Sequence, residues 1–292
     1  MRPTTLFTVL AIGLPLGLPS IALGASINIV AAENFYGDLA QQIGGSRVTV
    51  SSILSDPDTD PHLFETSAST ARAVSGAAVI IYNGADYDPW MDKLLSASPS
   101  ADRTAIVAAD LIGAKSGDNP HLWYDPRTLP AVAKALAGEL GKRDPADAAS
   151  FATNLATFDA SLSPIDAEIV SIKAKHAGVE VTATEPVFGY MAAALGLQML
   201  NMDFQIATMN DTEPSPSEVA GFESSLQTGK AKVLFYNSQV TDDTTTRLLG
   251  LAKDAHVPVI GVTETEPAGK TIQTWFGGQL QQVSAALDAL GK

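Results

Sequence analysis

The sequence predicts an α/β protein of two lobes, each a parallel sheet flanked by helices, joined by one long connecting helix. Three observations carry this. Short apolar runs alternate with helical patterns along the chain, as the strands and crossover helices of parallel sheets do. The runs fall into two sets, in keeping with 292 residues at roughly 150 residues per domain. Between the sets, Phe151, Leu155, Phe158, Leu162, Ile165, Ile169 and Ile172 follow one another at alternating steps of four and three. That is one apolar face sustained over more turns than most globular helices have.

Residues 1–24 read as an address rather than as fold. Arg2 supplies a positive start, Leu6 to Leu18 an apolar stretch, and Ala22-Leu23-Gly24 a small-residue exit. This is the pattern of a cleavable signal peptide, with the mature chain starting near Ala25. In the first lobe (25–143), Ile27–Ala32, Val48–Leu54, Ala78–Tyr82 and Thr104–Ala108 read as strands. Phe35, Tyr36, Leu39 and Ile43 share a helix face between the first two, and Ala68–Val74 forms a shorter helix. Residues 144–177 hold the connecting helix. Pro164 interrupts its stripe without shifting the phase, which predicts one kinked helix rather than two. A coiled-coil dimer is the alternative use of such a stripe, but no charge pattern flanks it. In the second lobe (178–292), Val179–Thr184, Ala231–Tyr236 and Val257–Thr263 read as strands. Val187–Leu195, Ser217–Leu226, Thr244–Ala255 and Ile272–Leu290 read as helices.

Composition excludes several functions. The net charge of −14 repels phosphate backbones, so no nucleic-acid partner is expected. Cysteine is absent, which removes disulfides, thiol nucleophiles and Cys-ligated metals. There is no His-Glu-x-x-His, no Gly-x-Ser-x-Gly and no phosphate-cradling glycine loop. What remains stands at the strand ends, where open parallel sheets bind ligands. The run Ser55 to His62 follows the second strand, and Asn119-Pro120-His121 follows the fourth. Glu185 directly follows the first strand of the second lobe, and Glu264 its last, with Glu266 as the alternative to Glu264. Two imidazoles and two carboxylates suit a divalent transition metal. The other two histidines look bland: His176 ends the connecting helix beside Lys173 and Lys175, and His256 precedes the last strand. A metal hydrolase is the enzymatic alternative, with Asp60 or Asp125 as its base, though no motif supports either. Binding of an organic solute is another; it would be insensitive to His62 and His121.

Several stretches resemble the solute-binding proteins of zinc and manganese ABC importers, the cluster A-I family. They are Ala32-Glu33-Asn34-Phe35-Tyr36-Gly37-Asp38, Asp60-Pro61-His62-Leu63-Phe64-Glu65, Tyr82-Asn83-Gly84 and Asn119 to Pro126. The second lobe adds Thr184 to Tyr190 and Glu213-Pro214-Ser215-Pro216. The resemblance implies two α/β lobes with a metal between them, held by His62, His121, Glu185 and Glu264, and no catalysis. It implies Zn2+ or Mn2+ as the transported ligand, on equal footing, with Fe2+ a minor option. The implied partner is an ABC permease in the inner membrane, and a metallochaperone is a further candidate. A monomer is expected, and an adhesin-type interaction is the alternative role. Two features depart from the family pattern: Glu264 stands where Asp is usual, and no His-rich insertion precedes His121. A third is the missing lipid-anchor cysteine. With the signal peptide, it leads to the expectation of a free periplasmic protein.

Overall fold

The computed structural model describes residues 26–56, 61, 64–240 and 242–290. The predicted signal peptide lies outside them, as do His62 and Asp60. Among the described residues, the first lobe is a parallel sheet of β1 (Ile27–Glu33), β2 (Val48–Leu54), β3 (Val79–Tyr82) and β4 (Thr104–Val107), in the order β2-β1-β3-β4. Around it lie α1 (Asn34–Gly44), α2 (Ala68–Ser75), α3 (Pro89–Ala97), α4 (Ala108–Ile112) and α5 (Thr128–Arg143). The second lobe repeats the plan with β5 (Glu180–Ala183), β6 (Gln198–Met199), β7 (Leu234–Asn237) and β8 (Val259–Val262), in the order β6-β5-β7-β8, all parallel. Its helices are α7 (Gly189–Ala194), α8 (Met202–Met209), α9 (Pro216–Gln227), α10 (Asp243–Asp254) and α11 (Ile272–Ala289).

The connecting helix α6 (Ala148–His176) runs 29 residues and is continuous through Pro164. Its stripe is spent inside the chain: Phe151, Phe158, Leu162, Ile165, Ile169 and Ile172 are 0–8% exposed. They share one apolar core with Ile29 and Val79 of the first sheet and Phe235 and Val262 of the second. Burial at roughly 25 cal/mol per Å² rewards this seam, so the two lobes are packed together along α6 rather than tethered by it.

The predicted elements are present, with three differences. The predicted strand Ala231–Tyr236 is ladder-paired over Leu234–Asn237. The predicted helix Val187–Leu195 is a 3-10 turn, Pro186–Phe188, that passes directly into α7. Helices α3, α4, α5 and α8 and the two-residue β6 had no counterpart in the sequence reading.

Helix α9 shows how local chemistry sets a boundary. Ser215 caps it by accepting from the Glu218 N–H at 3.3 Å, while the Glu218 carboxylate accepts from the Ser215 N–H at 2.6 Å, with Pro216 at the first helical position. Ser215→Ala is expected to cost about 1 kcal/mol, read as a fall in melting temperature of about 2–4 °C. An unchanged melting temperature would show the cap to be inert.

Candidate metal centre

His121 is positioned by the turn that follows it. Leu122–Tyr124 forms a 3-10 turn whose Trp123 and Tyr124 are buried, and this pins the preceding residue. The imidazole is wholly buried. Its Nδ1 lies 2.7 Å from Asn119 Oδ1, which also accepts the His121 N–H at 3.1 Å. Asn119 Nδ2 donates to the Pro186 carbonyl at 2.7 Å, so its oxygen must face the histidine. The proton therefore sits on Nδ1, and Nε2 presents its lone pair to the second lobe. This is the arrangement in which a carbonyl oxygen orients a metal-ligating imidazole. Facing it at 3.5 Å is Glu264 Oε2.

Glu264 and Glu185 enter from the strand ends of the second sheet, 0% and 3% exposed. Asn237, the last residue of β7, ties them together. Its Nδ2 donates to Glu264 Oε1 at 2.7 Å and to Glu185 Oε2. Its Oδ1 accepts the Gln239 N–H at 3.1 Å, and Gln239 Oε1 accepts the Glu264 N–H at 2.6 Å. Burying two carboxylates is costly unless charge or hydrogen bonds compensate them. A divalent cation beside a neutral imidazole would supply that compensation.

The structure thus brings together His121 and Glu264 directly, and Glu185 through Asn237. Among the described residues no three His, Asp or Glu side chains converge closely enough to hold a metal by themselves; His62 lies outside that set. Glu266 points elsewhere. Its backbone N–H and carbonyl pair with the Asn34 side chain at 2.8 and 2.7 Å. Burial, with Asp38 adding, pushes its carboxyl to about 8. Asp125 is engaged too: burial alone would raise it, but Arg127 donates to both its oxygens and holds it below the usual range. That leaves it poorly suited to act as a general base. His176 pairs with Asp288 at 2.9 Å, and His256 ends α10 in a left-handed turn.

The sequence reading missed Asn119, Asn237, Gln239 and Tyr87. Tyr87 is 4% exposed and lies edge-on to His121 at 6.0 Å; burial, then the charge of Glu264, pushes its hydroxyl well above the usual range. Asn237 stands at a strand's carboxyl end and was findable by the rule that nominated Glu185 and Glu264. Tyr87 carried no local signal. Further contacts close the lobes around the centre: Tyr124 donates to the Thr263 carbonyl at 3.1 Å, and Tyr190 to the Asn119 carbonyl at 2.9 Å.

A model of the family described as "Zinc-uptake complex component A periplasmic" matches residues 29–286. The manganese ABC transporter substrate-binding lipoprotein PsaA of Streptococcus mitis is 24% identical over 83% of this chain and 81% of its own length. The iron ABC transporter substrate-binding lipoprotein MtsA of Streptococcus pyogenes serotype M1 is 24% identical over 84% and 81%. The periplasmic zinc-binding protein TroA of Treponema pallidum shares the fold, with a TM-score of 0.76, 19% identity, and coverage of 90% of this chain and 99% of TroA. These names correct one expectation. The chain was expected to be free in the periplasm, from its leader and its lack of cysteine; PsaA and MtsA are lipoproteins, held at a membrane surface. Capture does not require free diffusion, and tethering raises the effective concentration of a carrier near its target. The relatives thus speak against a free periplasmic protein, and a location facing the outside is consistent with their names. No helix among the described residues is long and apolar enough to cross a membrane.

Proposed function

The chain belongs to the zinc-uptake component A family of ABC-importer substrate-binding proteins, and from that premise we propose that it captures a divalent transition metal between its lobes and delivers it to a permease. It is a transport component, not an enzyme. The observation that carries this reading is the buried meeting of His121 Nε2 and Glu264 Oε2, with Glu185 held alongside by Asn237. We assign His62, His121, Glu185 and Glu264 as the ligands, His62 from its sequence position alone. The lobes are residues 25–143 and 178–292, with 144–177 connecting them, and the chain acts as a monomer.

Two nitrogens and two carboxylates accept zinc, manganese or ferrous iron. By the Irving–Williams order, zinc binds such a site more tightly than manganese in vitro. The transported ion is then set by availability as well as by affinity. Because one apolar core spans both lobes, release proceeds by displacement of a ligand-bearing loop rather than by wide opening of the lobes.

The test is thermal unfolding of chelator-stripped protein with and without Zn2+ and Mn2+. A ligand at about 100 times its Kd that binds only the folded state adds ~2.7 kcal/mol, a rise of about 5–10 °C for lobes of this size. The rise is expected to vanish in His62→Ala/His121→Ala. No rise with either ion in the unaltered chain would overturn the reading.

A further inference from the structure

The carboxyl end of β1 buries an acid that the ligand set does not use. Glu33 is 0% exposed. Among the described residues no donor reaches either of its carboxyl oxygens. Its hydrogen-bonding neighbour is a second carboxyl, that of Asp88, 1% exposed. Two carboxylates offer only acceptors, so a hydrogen bond between them requires one shared proton. Asp88 already accepts the Asn83 N–H at 2.6 Å on one oxygen and the Gly84 N–H at 2.8 Å on the other. Those donors favour its anion. The proton therefore belongs to Glu33. Burial, then the charge of Asp88, pushes Glu33 well above the usual carboxyl range, in the same direction.

We propose that Glu33 is a neutral carboxylic acid that donates to Asp88 and, through the 83–88 loop, serves as a positioning residue for the metal centre. This rests on the metal-centre reading above. The loop is the link. Gly84, Ala85 and Asp86 all have positive φ, 74°, 51° and 64°, and the two non-glycine residues are held there at a cost in backbone energy. Asp88 closes the loop on itself and keeps that conformation. From one end of the loop, Asn83 Nδ2 donates to the Pro120 carbonyl at 2.7 Å, beside His121, while Asn83 Oδ1 accepts from the Tyr36 hydroxyl at 3.0 Å. From the other end, Tyr87 lies edge-on against the His121 ring, centroids 6.0 Å apart, near enough to Glu264 to feel its charge. One carboxylic acid–carboxylate pair thus backs His121 from both ends of the loop, on the side that faces Glu264. An ionised Glu33 would set two anions against each other in a dry core, and loss of its side chain would leave Asp88 with its two backbone donors alone.

The test is calorimetric titration with Zn2+ and with Mn2+ of the unaltered chain, Glu33→Gln, Glu33→Ala and His121→Ala. The Gln amide can donate to Asp88 as the acid does, so Glu33→Gln is expected to bind within about threefold of the unaltered chain. Glu33→Ala is expected to lose about 10–100-fold, the range for removing a group that orients metal ligands. A second readout needs no metal: the infrared difference spectrum, in which the unaltered chain shows a protonated-carboxyl C=O band that Glu33→Gln lacks, while the band of Glu266, raised to about 8, stays in both. Where Glu33→Ala does not fold, that band and the affinity of Glu33→Gln decide. Glu33→Ala binding as tightly as the unaltered chain overturns the positioning role. Glu33→Gln binding about 10-fold or more weakly, or an absent band, overturns the neutral acid. An unaltered chain that binds neither ion overturns the metal-centre reading itself and takes the positioning role with it. The infrared band then reports the Glu33 proton separately.

Discussion

His121→Ala is expected to lower Zn2+ affinity by more than about 100-fold, beyond the ~10–100-fold that losing a ligand's hydrogen-bond partner costs. A 100-fold loss is about 2.7 kcal/mol. The substitution removes the Nε2 lone pair that Asn119 orients toward the second lobe, and it leaves Glu264 Oε2 facing a void at 0% exposure. Glu264→Ala is expected to lose affinity comparably. Glu266→Ala is expected to leave it near that of the unaltered chain, because the Glu266 contacts run through its backbone to Asn34 and its carboxyl lies against Asp38. Competition titration against a chromogenic chelator reads all three. Glu266→Ala weakening binding as much as Glu264→Ala would exchange the two roles, and an unaffected His121→Ala would remove the first-lobe ligand altogether.

Phe158→Ala is expected to be the most damaging single substitution for stability, at about 3–5 kcal/mol for a buried aromatic truncated to alanine. Phe158 is 2% exposed at the middle of α6, within the core that joins both sheets. A cavity there loosens the seam on which both lobes lean. The expected fall in melting temperature is about 10 °C or more. Val170→Ala on the same helix provides the contrast: Val170 is 67% exposed, and such surface changes stay within about 0.5 kcal/mol. Equal effects of the two substitutions would show that the stripe does not hold the lobes together.

The stripe of α6 was legible because seven large apolar residues at helical spacing leave one geometry that buries them. It did not reveal whether its partner was a second chain or the same one. The core shared with Ile29, Val79, Phe235 and Val262 answers that: the chain covers the stripe itself. Helix α5 escaped the sequence reading although Leu129, Val132, Ala133, Leu136, Ala137 and Leu140 are buried at helical spacing. Alanines on its other face blur the contrast between the two sides. Strand β7 was displaced because hydrogen bonding begins before the regular ladder does: the Lys232 N–H already bonds the Glu180 carbonyl.

The ligand candidates were readable in the same way and for the same reason. Parallel strands end at one edge, so residues such as Glu185 and Glu264 that directly follow strands are near neighbours whatever the loops do. The sequence by itself therefore determined the two-lobed α/β class, the connecting helix and the sheet edge that Glu185 and Glu264 share. Tertiary structure alone decided between Glu264 and Glu266 as the neighbour of His121. It alone set the His121 tautomer through Asn119, and joined Glu33 to Asp88 across 55 positions of the chain. Periodicity is a property of neighbours along the chain, and it survives in one dimension. A hydrogen bond between residues far apart in sequence depends on distances of a few tenths of an ångström, and only the packed fold defines those.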